Sequence, residues 1–120
     1  MLAGSKGLTF EMNESDTRCL VSLDGDLNMF SAPELRINLI KKLDAGVRRF
    51  IVDLTQVSFV DSSGIGVLVS FVSLARKTEG TKVVLCGLNS QIRNIFEVTR
   101  LLSVFNVVDD LAAAESAILA

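Results

Sequence analysis

The chain has 120 residues, 49% of them hydrophobic and 22% charged, the balance of one globular domain rather than of a disordered segment. Its net charge of −2, with 12 Lys+Arg dispersed in runs of no more than two, argues against nucleic-acid binding through a basic field. Histidine is absent and only Cys19 and Cys86 are present, which removes the commonest general base, the usual zinc-ligand sets and a disulfide scaffold.

Residues 1–7 carry no periodicity and are expected to form a flexible N-terminus, leaving 8–120 as a single domain. From Leu8 to Glu14 the apolar Leu8, Phe10 and Met12 alternate with polar residues, the pattern of a half-buried strand. Arg18–Leu23 repeats it with Cys19, Val21 and Leu23, and a turn at Ser15-Asp16 makes the two an antiparallel hairpin. Asp24-Gly25-Asp26 is expected to end the second strand. Ser31-Ala32-Pro33-Glu34 then opens a helix, with Ser31 as cap, Glu34 at the capping-box position and Pro33 in the first turn. Leu35, Leu39, Ile40 and Leu43 form its buried stripe, and Gly46 closes it.

Arg49–Leu54 contains the continuous apolar run of a strand covered on both faces. A second helical pattern covers Ser63–Lys77, and Lys82–Cys86 is another apolar strand. A third helix starts near Asn89-Ser90 and turns Ile92, Ile95 and Phe96 inward; Val104–Val108 is the fifth strand. Asp109-Asp110 stand at the positive end of a last helix through Leu119. The order β-β-α-β-α-β-α-β-α implies an α/β fold: a mixed, mostly parallel sheet of about five strands that starts with an antiparallel hairpin, with about four helices.

One segment stands out, Val57-Ser58-Phe59-Val60-Asp61-Ser62-Ser63-Gly64-Ile65-Gly66. It follows a buried strand and opens the second helix, where unpaired backbone N–H groups favour a carboxylate, sulfate or phosphate. The plainest reading makes Ser62 an N-cap and lets the glycines permit close packing. A dinucleotide fingerprint lacks its third small residue, because Val69 stands there. A nucleophile elbow lacks the preceding glycine, because Val60 stands there, and lacks a histidine base. The remaining reading is a serine phosphorylated by a partner kinase, with the N–H groups of Ser63, Gly64 and Ile65 facing the phosphate and Gly64 admitting the partner's backbone.

The helix after the serines is apolar over an arc of roughly 220°, wider than the ~100° stripe a surface helix needs. Ile65, Leu68, Val69 and Val72 can pack on the sheet. Val67, Phe71 and Leu74 must be covered by a neighbouring helix, the third being the expected one, or form a docking surface beside Ser62. Gly66 and Ser70 interrupt the longest apolar run, which falls short of the ~20 residues that span a bilayer, so direct membrane insertion is not expected. Asp53 and Asp61 flank one region but are read as a strand-end polar residue and an orienter of the serine loop. The first six residues are too short and too polar for a signal peptide, and two reduced thiols in apolar stretches suit a cytoplasmic protein.

Gly25-Asp26-Leu27, Ser31-Ala32-Pro33-Glu34-Leu35, Val52-Asp53-Leu54 and above all Phe59-Val60-Asp61-Ser62-Ser63-Gly64-Ile65-Gly66-Val67-Leu68 resemble the STAS domain, and more narrowly the bacterial anti-sigma factor antagonists. The resemblance covers Leu8 to Leu119. It implies a non-enzymatic protein without cofactor whose unphosphorylated form binds an anti-sigma factor, itself a serine kinase of the histidine-kinase-like ATPase fold, and so releases a sigma factor. A PP2C-type phosphatase restores the active form. The family's phosphoacceptor falls on Ser62, with Ser63 a minor candidate, in a loop of Asp61, Ser63, Gly64, Ile65 and Gly66. Asp26, Asn28, Val67 and Phe71 are the expected partner contacts. The family's Gly-Glu-Leu-Asp reads Gly25-Asp26-Leu27-Asn28 here, an amide in place of the final carboxylate. The second functional class open to the same resemblance is a STAS scaffold or transporter-associated module.

Overall fold

Among the described residues, five strands lie side by side in chain order: β1 (Thr9–Ser15), β2 (Arg18–Leu27), β3 (Arg49–Val60), β4 (Lys82–Cys86) and β5 (Asn106–Val108). They come from a computed structural model that describes the backbone of residues 9–15 and residues 18–119 in full. The expected flexible segment 1–7, the turn at Asp16 and the burial of Leu8, Phe10 and Met12 lie outside what is described. β1 pairs antiparallel with β2; the other three pairs are parallel.

Each parallel pair needs a crossover, and the chain supplies α1 (Ala32–Asp44), α2 (Ser62–Arg76) and α3 (Ser90–Val98) in turn. Because strand order follows chain order, right-handed crossovers place all three helices on one face. That face holds the main core: Val21, Leu23, Phe50, Val52, Leu54 and Leu85 from the strands meet Leu35, Leu39, Leu68, Ile92 and Phe96 from the helices. The last helix, α4 (Leu111–Leu119), covers part of the other face, where Ala114 and Ile118 pack on Ile51, Val84 and Cys86. Asp110 accepts the Ala113 N–H at 2.8 Å and so caps α4.

Several expected boundaries move. β2 does not stop at Asp24-Gly25-Asp26 but runs to Leu27, with register shifts between Ser22 and Asp24 and between Gly25 and Asp26. Gly25, at φ 117°, absorbs an irregularity inside the strand instead of ending it. β3 likewise continues past Leu54 to Val60, because β2 still offers it a pairing edge as far as Leu27. β5 begins at Asn106; the residues before it form a 3₁₀ turn, Leu101–Ser103. Ser31 does not cap α1 with its side chain. It already has helical φ and ψ, and the Asn28 carbonyl accepts the N–H groups of Ser31 and Ala32. Gly46, at φ 106°, follows α1's last residues as expected.

Candidate functional site

The two overlong strands deliver their ends to the same place. The Asp61 N–H donates to the Leu27 carbonyl at 3.1 Å, so the β2–β3 pair closes at the start of α2. Asp61 is extended, and one carboxylate oxygen accepts the Gly64 N–H at 3.0 Å. Asp61, not Ser62, is therefore the N-cap of α2, and Ser62 is the first residue of the helix. The other carboxylate oxygen accepts the Met29 N–H at 3.1 Å, which ties the loop after β2 to the helix start.

Freed from capping, Ser62 is exposed, while Ser63 is half-buried. Among the described residues nothing hydrogen-bonds the Ser62 hydroxyl. The backbone leaves less for an anion than expected. The Gly64 N–H is held by Asp61, and the Ile65 N–H donates to the Asp61 carbonyl at 3.0 Å. The N–H groups of Ser62 and Ser63 remain at the positive end of α2.

Gly64 is buried, and a Cβ there would stand 2.7 Å from both the Leu27 carbonyl oxygen and its side chain. Its small size seats α2 against the end of β2; it does not admit a partner's backbone. Gly66 is exposed, and a Cβ there would meet nothing within 4 Å; Ile65 is half-buried beside it.

The loop from Asp26 to Ser31 is internally braced. The Asn28 side-chain oxygen accepts the N–H groups of Phe30 at 2.9 Å and Ser31 at 3.2 Å. The Ser31 hydroxyl donates to the Asp26 carbonyl at 2.8 Å and accepts the Asn28 N–H at 3.0 Å. Asn28 thus organises the turn, a task its amide oxygen performs as a carboxylate oxygen would. Asp26 is half-buried and stands opposite Phe59 in the β2–β3 pair.

Val67 and Phe71, expected at the docking surface, are buried instead. The Phe71 ring meets Phe50 edge-on with centroids 5.0 Å apart. The helix that covers this side of α2 is α1, not the third helix, and Leu74 is left partly exposed. The apolar surface beside Ser62 is made by other residues: Phe30 is 86% exposed, Met29 62% and Phe59 45%. Their sequence signal is three large apolar side chains within turn-like or serine-flanked segments, where no core periodicity calls for them.

Asp53 lies within β3, about seven residues and so roughly 25 Å of strand before Val60; it is not brought together with Asp61. One of its carboxylate oxygens accepts the Thr55 N–H at 3.0 Å and the Thr55 hydroxyl at 2.5 Å. Burial, and then the neighbouring Asp53 carboxylate, pushes the Cys86 thiol up to about 12. No group of three His, Cys, Asp or Glu that could hold a metal occurs among the described residues, and no described helix is long and apolar enough to cross a membrane.

The sequence profile of the STAS domain matches residues 9–114. The chain belongs to the STAS domain family. BtrV of Bordetella bronchiseptica, described as a candidate anti-sigma factor antagonist, is 31% identical over 106 residues, which cover 88% of this chain and 90% of BtrV. The anti-sigma-B factor antagonist of Staphylococcus aureus is 29% identical, covering 83% and 92% of the two chains. Among solved structures, a Thermotoga maritima protein described as a candidate anti-sigma factor antagonist superposes with a TM-score of 0.85 at 19% identity, over 92% of this chain and 95% of its own. SpoIIAA in its unphosphorylated form superposes at 0.70 and 19%, over 92% and 94%. At that identity these structures show the fold alone. A sulfate transporter family protein from Wolinella succinogenes shares it too, with a TM-score of 0.72. The STAS fold therefore leaves function to be argued from the Asp61–Ser62 corner.

Proposed function

We propose that this STAS protein is an anti-sigma factor antagonist controlled by phosphorylation of Ser62. The unphosphorylated form binds an anti-sigma factor that is also a serine kinase of the histidine-kinase-like ATPase fold, and a sigma factor is released. The observation that carries this reading is an exposed hydroxyl at the first position of α2, beside the exposed Phe30, Met29 and Phe59. The relatives in Bordetella bronchiseptica and Staphylococcus aureus support the pathway.

Phosphorylation adds a charge of about −1.5 to −2 and three acceptor oxygens at pH 7. At the N-terminus of α2 this charge is tolerated, so the fold is kept. Pressed against a partner, an unpaired phosphate costs several kcal/mol of desolvation. A loss of ~3 kcal/mol weakens binding more than 100-fold. The kinase brings ATP, Mg²⁺ and the base; this chain supplies the hydroxyl. A PP2C-type phosphatase resets it.

The test is incubation with the cognate kinase and ATP, then mapping of the modification by mass spectrometry. Phosphate is expected on Ser62 and absent from Ser62→Ala. Undiminished labelling of Ser62→Ala would remove Ser62 as acceptor. Ser62→Asp should fold normally and bind the kinase poorly, and tight binding by that variant would overturn the electrostatic mechanism.

A further inference from the structure

α1 and α2 part along their outer side to leave an open groove of about 410 Å³, which starts at Ser70, roughly two turns of α2 beyond the Ser62 corner, and runs to the C-terminal end of α2. Ile40, Phe71 and Leu74 give it an apolar floor, Ser73 a small wall, and Arg36 and Lys77 stand on its rim. Neither cation has a carboxylate partner among the described residues. On a chain of net charge −2, two unpaired cations at one apolar groove are a local reversal of sign.

We propose that this groove takes an acidic amphipathic helix of a protein partner, whose apolar stripe covers Ile40 and Leu74 while its carboxylates meet Arg36 and Lys77. The groove is too open to enclose a small ligand, which pockets of that kind bury by 70–90%. A helix laid along it presents apolar anchors at i, i+3 or i+4, and i+7, the spacing that a cleft between two helices accepts. The surface is also continuous with the Ser62 corner. Pro33, Ile37 and Ile40 follow one another at steps of four and three residues, which places them in one row along α1, with Ile37 53% exposed within it and Phe30 in the turn just before the helix. A single partner docked at Ser62 can therefore reach the groove. That this partner is the anti-sigma factor rests on the function proposed above; the preference of the groove for an acidic helix does not.

The test is an NMR titration of the ¹⁵N-labelled full chain with two synthetic amphipathic peptides of roughly four helical turns. They share one leucine stripe and differ in flanking Glu or Lys. The acidic peptide is expected to shift the amides of Ile40, Ser73, Leu74 and Lys77, with affinity that falls as salt is raised. In the double variant Arg36→Glu/Lys77→Glu, whose exposed sites leave the fold intact, affinity should fall about tenfold. The proposal is overturned by an absence of shifts, by equal binding of the basic peptide, or by binding that survives the charge reversal. It is equally overturned if dilution without peptide moves the same amides, since a second copy would then be the occupant. Because the peptides lack a kinase, shifts at the groove without Ser62 phosphorylation by any kinase would defeat only the functional reading.

Discussion

The Asp61 carboxylate accepts the Met29 N–H at 3.1 Å across 32 residues of sequence, while its other oxygen caps α2 through Gly64. One side chain thus sets both the start of the helix that carries Ser62 and the loop that carries Met29 and Phe30. Asp61→Ala should cost about 1–2 kcal/mol in urea unfolding, the usual loss of an N-cap, and should also loosen the loop. Asp61→Asn retains one acceptor oxygen and can serve Gly64 or Met29 but not both as a carboxylate does. Hydrogen exchange at Met29 should therefore rise in Asp61→Asn even where the unfolding midpoint moves little.

The two glycines at the corner separate packing from exposure. Gly64→Ala puts a Cβ 2.7 Å from a backbone carbonyl that is fixed by the Asp61 N–H, so the clash cannot relax cheaply. We expect a net loss of about 1–3 kcal/mol despite alanine's better helix propensity. Gly66→Ala meets nothing within 4 Å and should stabilise by up to ~1 kcal/mol. Denaturation of both variants, which carry the same added methyl in one helix, checks the contrast.

Phe71 and Phe30 separate stability from binding. Phe71→Ala removes a ring packed on Phe50 and should cost about 3–5 kcal/mol. Phe30→Ala, at an 86% exposed site, should change stability by less than ~0.5 kcal/mol yet weaken partner binding at least tenfold. Thermal melts and a binding titration on the same two variants separate the effects.

These outcomes also show what a sequence discloses. The alternation of strands with helices and the inward stripes of Leu35, Leu39 and Leu43 are periodic, and periodicity records burial. Periodicity does not say which neighbour does the burying, so Val67 and Phe71 read either as covered by a neighbouring helix or as docking surface until α1 is seen to cover them. Asp24-Gly25-Asp26 reads as a stop because local turn chemistry is strong, whereas pairing of β2 with β3 carries the strand through it. At the site, Asp61-Ser62-Ser63-Gly64 announces a helix start, but the cap shifts from serine to aspartate because only a carboxylate reaches Gly64 and Met29 together. Exposed Met29 and Phe30 lie outside any periodic pattern, and only their size and apolarity within a turn mark them.

Cys86 gives a prediction on pH. Its thiol stands near 12 in the fold against 9.0 for the free group, raised first by burial and then by Asp53. The native state therefore keeps its proton between pH 9 and pH 12 while the unfolded chain loses it. Stability contributed by this group is complete below pH 9 and declines as pH rises through that window. Urea midpoints should fall above pH 9, and the fall should be smaller in Cys86→Ala relative to that variant's own neutral-pH value. At pH 8 a thiol reagent should label Cys86 only when denaturant is added.

Phosphate on Ser62 tests whether the switch works at the surface or through the fold. The group would sit on the positive end of α2, near the N–H groups of Ser62 and Ser63, which favours it by about 0.3–1 kcal/mol. The Asp61 carboxylate is one residue away and opposes it by a similar amount, since neither charge is shut off from solvent. The two effects nearly cancel. The phosphorylated chain should melt within a few degrees of the unmodified one, with NMR shifts confined to Met29–Phe30 and Asp61–Gly66, while affinity for the kinase falls more than 100-fold. A melting temperature lowered by about ten degrees or more, with shifts spread through β4 and α4, would instead place the switch in the core and remove the docking surface from the mechanism.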